Sequence, residues 1–298
     1  MYKKIILFLL AITMTICFVP FSMTAATTPT ITYPLEYEEV DPLTALTIRW
    51  TPPSSGTVQS YSLTVLKMKE ADVDYYTYLV DDKILSGSTT SYTFSANSIA
   101  RNGLYAINMY ALMSDGTMRW APARTFYTAV HKGVPSNKTI SLKIYTGFSE
   151  EFKAATYYAS RTWIETLGIE KVNTYAFDQG VTSTTYSTED GISCVVPNYL
   201  GTNGTLMLVW TSYDSNGYGV EADIIVNTAY SFSDGTVTGT YDFQSVMTHE
   251  IGHAHGLADK YEDFASNWTM YGSIGTDTIK RSLHNADITS AKRLYNLS

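Results

Sequence analysis

Cysteine is almost missing from this chain, which has two among 298 residues, Cys17 and Cys194. Cys17 lies in an apolar N-terminal run and lacks the leucine and small residues of a lipoprotein box. Once that run is removed Cys194 stands alone, so no intramolecular disulfide supports the exported fold, which must rest on its core or on metals. Positive charge is scarce too: 20 Lys and Arg face 28 Asp and Glu, a formal net charge of −8. No basic patch points to nucleic acid. Past the N-terminus no stretch approaches the ~18 uninterrupted apolar residues of a membrane helix. Histidine is also sparse, yet three of its five copies, His249, His253 and His255, crowd into one short segment.

What is present begins with Lys3 and Lys4, an apolar run from Ile5 to about Phe21 that Pro20 interrupts, and small residues ending in Ala25 and Ala26. This is the pattern of a secretory signal peptide over residues 1–26 and predicts a secreted, extracellular protein. A single-span N-terminal anchor is the alternative, and either places the rest outside the cytoplasm. The leader takes two lysines and no acid, so the exported chain is more acidic still. With 45% hydrophobic residues and 24 tyrosines, the remainder suits two ordinary domains and argues against disorder.

Residues 27–130 alternate apolar and polar side chains over short runs broken by turn formers: 46–50, 61–68, 91–94, 104–112 and 124–130. This spacing predicts a small antiparallel β-sandwich with no helix. Its tyrosines fit sheet core and surface, with a glycan or a protein partner as the alternative. Residues 131–138, HKGVPSNK, read as a linker. From 139 to the end the pattern changes to α+β: a strand at 140–147, then a helix over 149–168 with Ser149 as N-cap, Glu150 and Glu151 in its first turn and Gly168 as stop. Strands are expected at 172–177, 205–213 and 221–227, and helices at Phe243–Leu257 and Ala286–Tyr295.

The second of these helices carries the chemistry. Positions i and i+4 share a helix face, so His249 and His253 can aim imidazole nitrogens at one ion. Glu250 lies ~100° round the same turn, able to reach a water on the ion without binding the ion itself. A catalytic zinc needs a third protein ligand and one open position. Gly256 permits the positive φ that ends the helix, and Asp259, three residues on, is the expected third ligand. His255 points to roughly the opposite side of the helix and is excluded as a ligand. It is expected to be partly exposed near the helix end, with a contact to substrate or behind a ligand as the alternative. At this composition His-Glu-x-x-His arises by chance about 0.003 times in such a chain.

HEIGHAHGLAD (249–259) resembles the extended zinc motif of the metzincin metalloproteases. EADIIVNTAYSFS (221–233), YDFQSVMTHE (241–250), NWTMYGS (267–273) and LHNADITSAKRLY (283–295) resemble its matrixin branch most closely. The resemblance implies His249 and His253 as ligands to one catalytic zinc, Glu250 as general base, Gly256 as the turn, Met270 as the methionine beneath the metal, and Tyr271 after it. The third ligand of that family is usually histidine, and Asp259 is similar to the snapalysin branch instead. Matrixins often hold a second zinc through histidines, but only His131 and His284 remain here, so none is expected. HKGVP (131–135) is faintly similar to a matrixin latency segment, with Lys132 where its cysteine would stand, which removes a cysteine switch. The first half is similar to a fibronectin type III module, on Trp50 with Pro52 and Pro53 and on the stretch from Tyr105 to Ala111. Trp50 would be its core tryptophan and Tyr105 its corner tyrosine.

The reaction expected is peptide-bond hydrolysis, Glu250 taking the proton from the attacking water and passing it to the leaving amine. An extended substrate would lie along an edge strand, for which 205–213 is the candidate. A secreted binding or adhesion protein with a structural or inactive metal site is the alternative, and a hydrolase of another amide is a second. The stretch DSNGYGVEAD (214–223) suits a calcium ion and equally a surface turn. NKT (137–139) and NGT (203–205) are glycan acceptors in a suitable host.

Overall fold

Alternating runs in the first half form strands, and turn residues close them. The computed structural model describes residues 28–68, 77–174 and 180–297. The expected leader, with Cys17, lies outside these residues, as do positions 175–177 of the expected strand 172–177. Among the described residues no helix is long and apolar enough to cross a membrane.

Residues 30–128 make β1 (Thr30–Tyr33), β2 (Glu38–Val40), β3 (Leu46–Thr51), β4 (Val58–Lys67), β5 (Thr77–Ser86), β6 (Ser91–Phe94), β7 (Gly103–Met113), β8 (Met118–Trp120) and β9 (Arg124–Thr128). One sheet has the order β1-β3-β6; the other runs β2-β9-β7-β4-β5, with β8 also paired to β7. Trp50, Tyr61, Leu63, Tyr105, Ile107 and Phe126 fill the space between them. The Trp50 and Tyr61 rings meet edge-on at 5.5 Å. Tyr105 is buried and donates its hydroxyl to the carbonyl of Ala100 at 3.3 Å, the back-bond of a tyrosine corner. Strands β1, β2, β5 and β8 were not expected. Glu38 and Glu39 in β2, and two aspartates and a lysine in β5, leave no apolar alternation to read.

The second half continues with β10 (Ile140–Ile144), α1 (Glu150–Leu167), β11 (Val172–Thr174), β12 (Cys194–Asn198), β13 (Met207–Tyr213), β14 (Gly219–Asn227), β15 (Phe232–Ser233), β16 (Tyr241–Asp242), α2 (Phe243–Ala254) and α3 (Asn285–Leu294). The chain is thus α+β. The five-stranded sheet has the order β11-β10-β12-β14-β13, all parallel except β13, which pairs antiparallel with β14 at the edge. β14 has neighbours on both sides and buried residues throughout its later half, which is why Ile224, Ile225 and Val226 follow one another without polar alternation. β12 escaped prediction because it is short and contains Pro197.

Helix α1 starts where Ser149 accepts the N–H of Phe152 and stops at Gly168, whose φ of 69° returns the chain. Ala155, Ala159, Trp163 and Leu167, four apart, form its buried face. Trp163 reaches α2, its ring N–H donating to the carbonyl of Thr248 at 2.9 Å, one residue before His249.

The expected linker 131–138 requires correction in its first half. His131 and Val134 are buried in the second half of the molecule. Val130 N–H donates to the carbonyl of Gly256 at 2.9 Å, and the His131 ring lies within hydrogen-bond reach of the His253 carbonyl at 3.2 Å. Small and turn-forming residues serve close packing here rather than flexibility, a distinction composition alone does not make.

Candidate metal centre

The N-terminus of α2 is fixed by Asp242, whose carboxylate accepts the Ser245 N–H at 2.9 Å and an Arg281 guanidinium N–H at 3.0 Å. Two turns later the helix presents His249 and His253. Their Nε2 atoms are 3.0 Å apart, and Oδ1 of Asp259 is 3.1 Å from the first and 3.4 Å from the second. Donors at ~2.0–2.1 Å from a tetrahedral zinc stand about 3.3–3.4 Å from one another, so this triangle is close to one face of such a tetrahedron. Among the described residues these three form the cluster of acid and imidazole side chains close enough to share an ion.

The tautomers agree with that geometry. Nδ1 of His249 lies 2.9 Å from the carbonyl of Thr269, and Nδ1 of His253 lies 2.8 Å from that of Leu257. A carbonyl only accepts, so each Nδ1 carries the hydrogen and each Nε2 keeps its lone pair for an ion. Without an ion, burial draws the His249 imidazole toward neutrality, but Asp259 outweighs it and the pKa lies above the usual histidine value. Burial acts likewise on His253, and attraction to Asp259 raises it to about 9. The Asp259 carboxyl, pushed up by burial, is held well below the carboxylate range by the two imidazoles. Asp259 thus favours protonation of both imidazoles, and a divalent cation would compete with protons for the same nitrogens.

Glu250 is buried beside these ligands and lines the same cleft. Burial raises its carboxyl pKa, the nearby histidines offsetting this only in part.

Gly256 has a φ of +106° and turns the chain back, so α2 ends at Ala254 rather than at the expected Leu257. Its missing side chain also matters, because a Cβ there would stand 2.7 Å from the His131 carbonyl. The next segment pairs with the turn around Met270: Lys260 N–H donates to the Met270 carbonyl at 2.8 Å, and Gly272 N–H to that of Lys260 at 2.9 Å. Met270 is fully buried under α2. Thr269, which orients His249, is held by Asp287 of α3, whose carboxylate accepts the Thr269 N–H at 2.8 Å. Tyr271 lines the cleft, with the Lys280 ammonium 5.3 Å from its ring centroid. Thr269 and Asp287 were not foreseen, because backbone carbonyls and a distant helix supply these contacts.

The structure corrects the expectation for His255. It is fully buried, packed on Trp163, with Nδ1 2.9 Å from the hydroxyl of Tyr295 and no hydrogen-bond partner for Nε2 among the described residues. Burial drives its pKa down to about 3, and that of neighbouring His131 to about 4. Both are neutral core histidines. His284 caps α3 and stacks on Trp268. In the 214–223 stretch, Asp214 closes the β13–β14 turn by accepting the N–H groups of Asn216 and Tyr218, and Asp223 is buried against Cys194.

The three donors and Glu250 open onto a cleft of about 890 Å³. One wall is β13, whose outer edge pairs with no strand among the described residues. Trp210 and Tyr213 project from that strand, and Asn102 of the sandwich reaches the cleft as well.

No family model matches the sequence, and no curated protein matches it. Part of the chain is similar to solved fibronectin-type modules. The Clostridium thermocellum CbhA fibronectin(III)-like modules are 18% identical with a TM-score of 0.25, covering 34% of this chain and 93% of that one. An Fn3-like protein from Clostridium thermocellum gives 15%, 0.22, 35% and 95% in the same order, and the third fibronectin III domain of human KIAA0343 protein 20%, 0.23, 30% and 74%.

Proposed function

We propose that this chain is a secreted zinc-dependent endopeptidase of metzincin type, preceded by a fibronectin type III-like accessory module. The observation that carries the reading is the triangle of His249 Nε2, His253 Nε2 and Asp259 Oδ1, facing a cleft that Glu250 also lines. Three protein donors leave one corner of a tetrahedron to water or substrate, as catalytic sites do; structural sites are usually closed by a fourth. Zinc bound there would act as a Lewis acid on the scissile carbonyl and on water.

The protein's own residues do the rest. Thr269 and Leu257 hold the imidazoles in the binding tautomer. Glu250, its pKa raised by burial, takes the proton of the attacking water and delivers it to the leaving amine. An extended peptide adds to the free edge of β13 through backbone hydrogen bonds, its side chains entering the cleft alternately. The test is purified protein incubated with zinc and then with an unfolded protein. About one tightly held zinc per chain and discrete peptide products are expected. Absence of tight zinc binding would overturn the reading.

A further inference from the structure

Asp259 sits on an irregular segment, with no helix to aim it, and the residues on either side of it are both held by one side chain from the other half of the molecule. Ala258 N–H donates to Oε1 of Glu39 at 2.7 Å, and the Lys260 ammonium lies 3.0 Å from Oε2 of the same carboxylate. The two side chains are buried, 0% exposed for Glu39 and 2% for Lys260. Glu39 is the middle residue of β2, which pairs with β9, and the Lys260 ammonium also sits 3.5 Å from the centroid of Tyr127 in β9. Tyr127 in turn hydrogen-bonds Glu262. Both flanks of the third donor are thus clamped by the edge of the sandwich.

A buried ion pair of this kind adds little net stability over an apolar pair of the same volume, because desolvation cancels most of the attraction. What it supplies is direction: a carboxylate that accepts a backbone N–H and an ammonium two residues apart fixes the peptide between them. We infer that Glu39 is a positioning residue for Asp259, so that the N-terminal sandwich forms part of the metal centre rather than an appendage; this rests on the zinc reading above. Deletion of the sandwich would therefore loosen the third ligand even though no sandwich residue touches the ion.

The test uses the full chain and two double variants. Glu39→Leu with Lys260→Met keeps the site apolar and filled but removes the acceptor for Ala258 N–H; Glu39→Gln with Lys260→Met restores that acceptor without charge. Zinc affinity, read by competition with a chelator, is expected to fall about 10–100-fold in the first and to return to near wild type in the second. In the metal-free proteins, amide hydrogen exchange at 258–260 should quicken in the first variant while α2 stays protected. A folded leucine variant that holds zinc as wild type does, or a glutamine variant as weak as the leucine one, overturns the inference. Should the leucine variant not fold, Glu39→Asp keeps the charge and shortens the reach: weakened zinc affinity supports the inference and wild-type affinity overturns it. A wild-type chain that takes up no zinc overturns the metal reading itself, and this inference with it.

Discussion

A Cβ placed on Gly252 would stand 2.2 Å from Sδ of Met270 and 3.0 Å from the Trp163 ring. The floor under the two histidines is thus a close approach of helix backbone to methionine that only glycine permits. In an exposed helix, Gly→Ala gains up to about 1 kcal/mol from propensity. Here overpacking should outweigh it, so Gly252→Ala is expected to lose roughly 1–3 kcal/mol in denaturant unfolding. A stabilised variant would show that Met270 moves aside freely.

Asp259 and His255 separate donor from core residue. Asp259→Ala should weaken zinc binding sharply while leaving the fold, whereas His255→Ala should leave zinc affinity near wild type and cost about 2 kcal/mol or more of stability through a buried cavity. Zinc titration and thermal unfolding of both variants decide the matter. Zinc lost with His255 and retained without Asp259 would show that the third ligand is misassigned.

The low pKa of His255, about 3, makes a signed prediction. Below about pH 6.5 the unfolded chain takes a proton on this residue that the folded chain refuses, so wild-type stability falls with pH in that range, and nothing is lost above it. His255→Gln has no group there to titrate. The stability gap between wild type and His255→Gln, measured metal-free, should therefore narrow by about 2 kcal/mol from pH 7 to pH 5. A constant gap would mean that His255 accepts its proton in the folded state.

Local patterns were the legible part of this molecule. Ser149, Gly168 and the four-residue spacing of α1 carry their own signals, and so does the i, i+4 pairing of His249 and His253 that Asp259 completes. The stretch 205–213, named as the candidate edge strand, does contain the edge strand β13. Features set by distant partners could not be read. Glu39 is acidic and looks solvated until Lys260, more than two hundred residues on, is packed against it. His255 looks like a helix-end histidine until Trp163 and Tyr295 cover it, and 131–134 looks like a linker until Gly256 is found beneath it.

The most direct measurement is peptide hydrolysis by zinc-loaded Glu250→Gln beside wild type, with zinc content determined on the same samples. The account predicts equal zinc and a loss of hydrolysis of roughly 10²–10⁴-fold, the contribution of a positioned general base. Undiminished cleavage by the variant, or a wild-type chain that binds zinc and cleaves nothing, would contradict it.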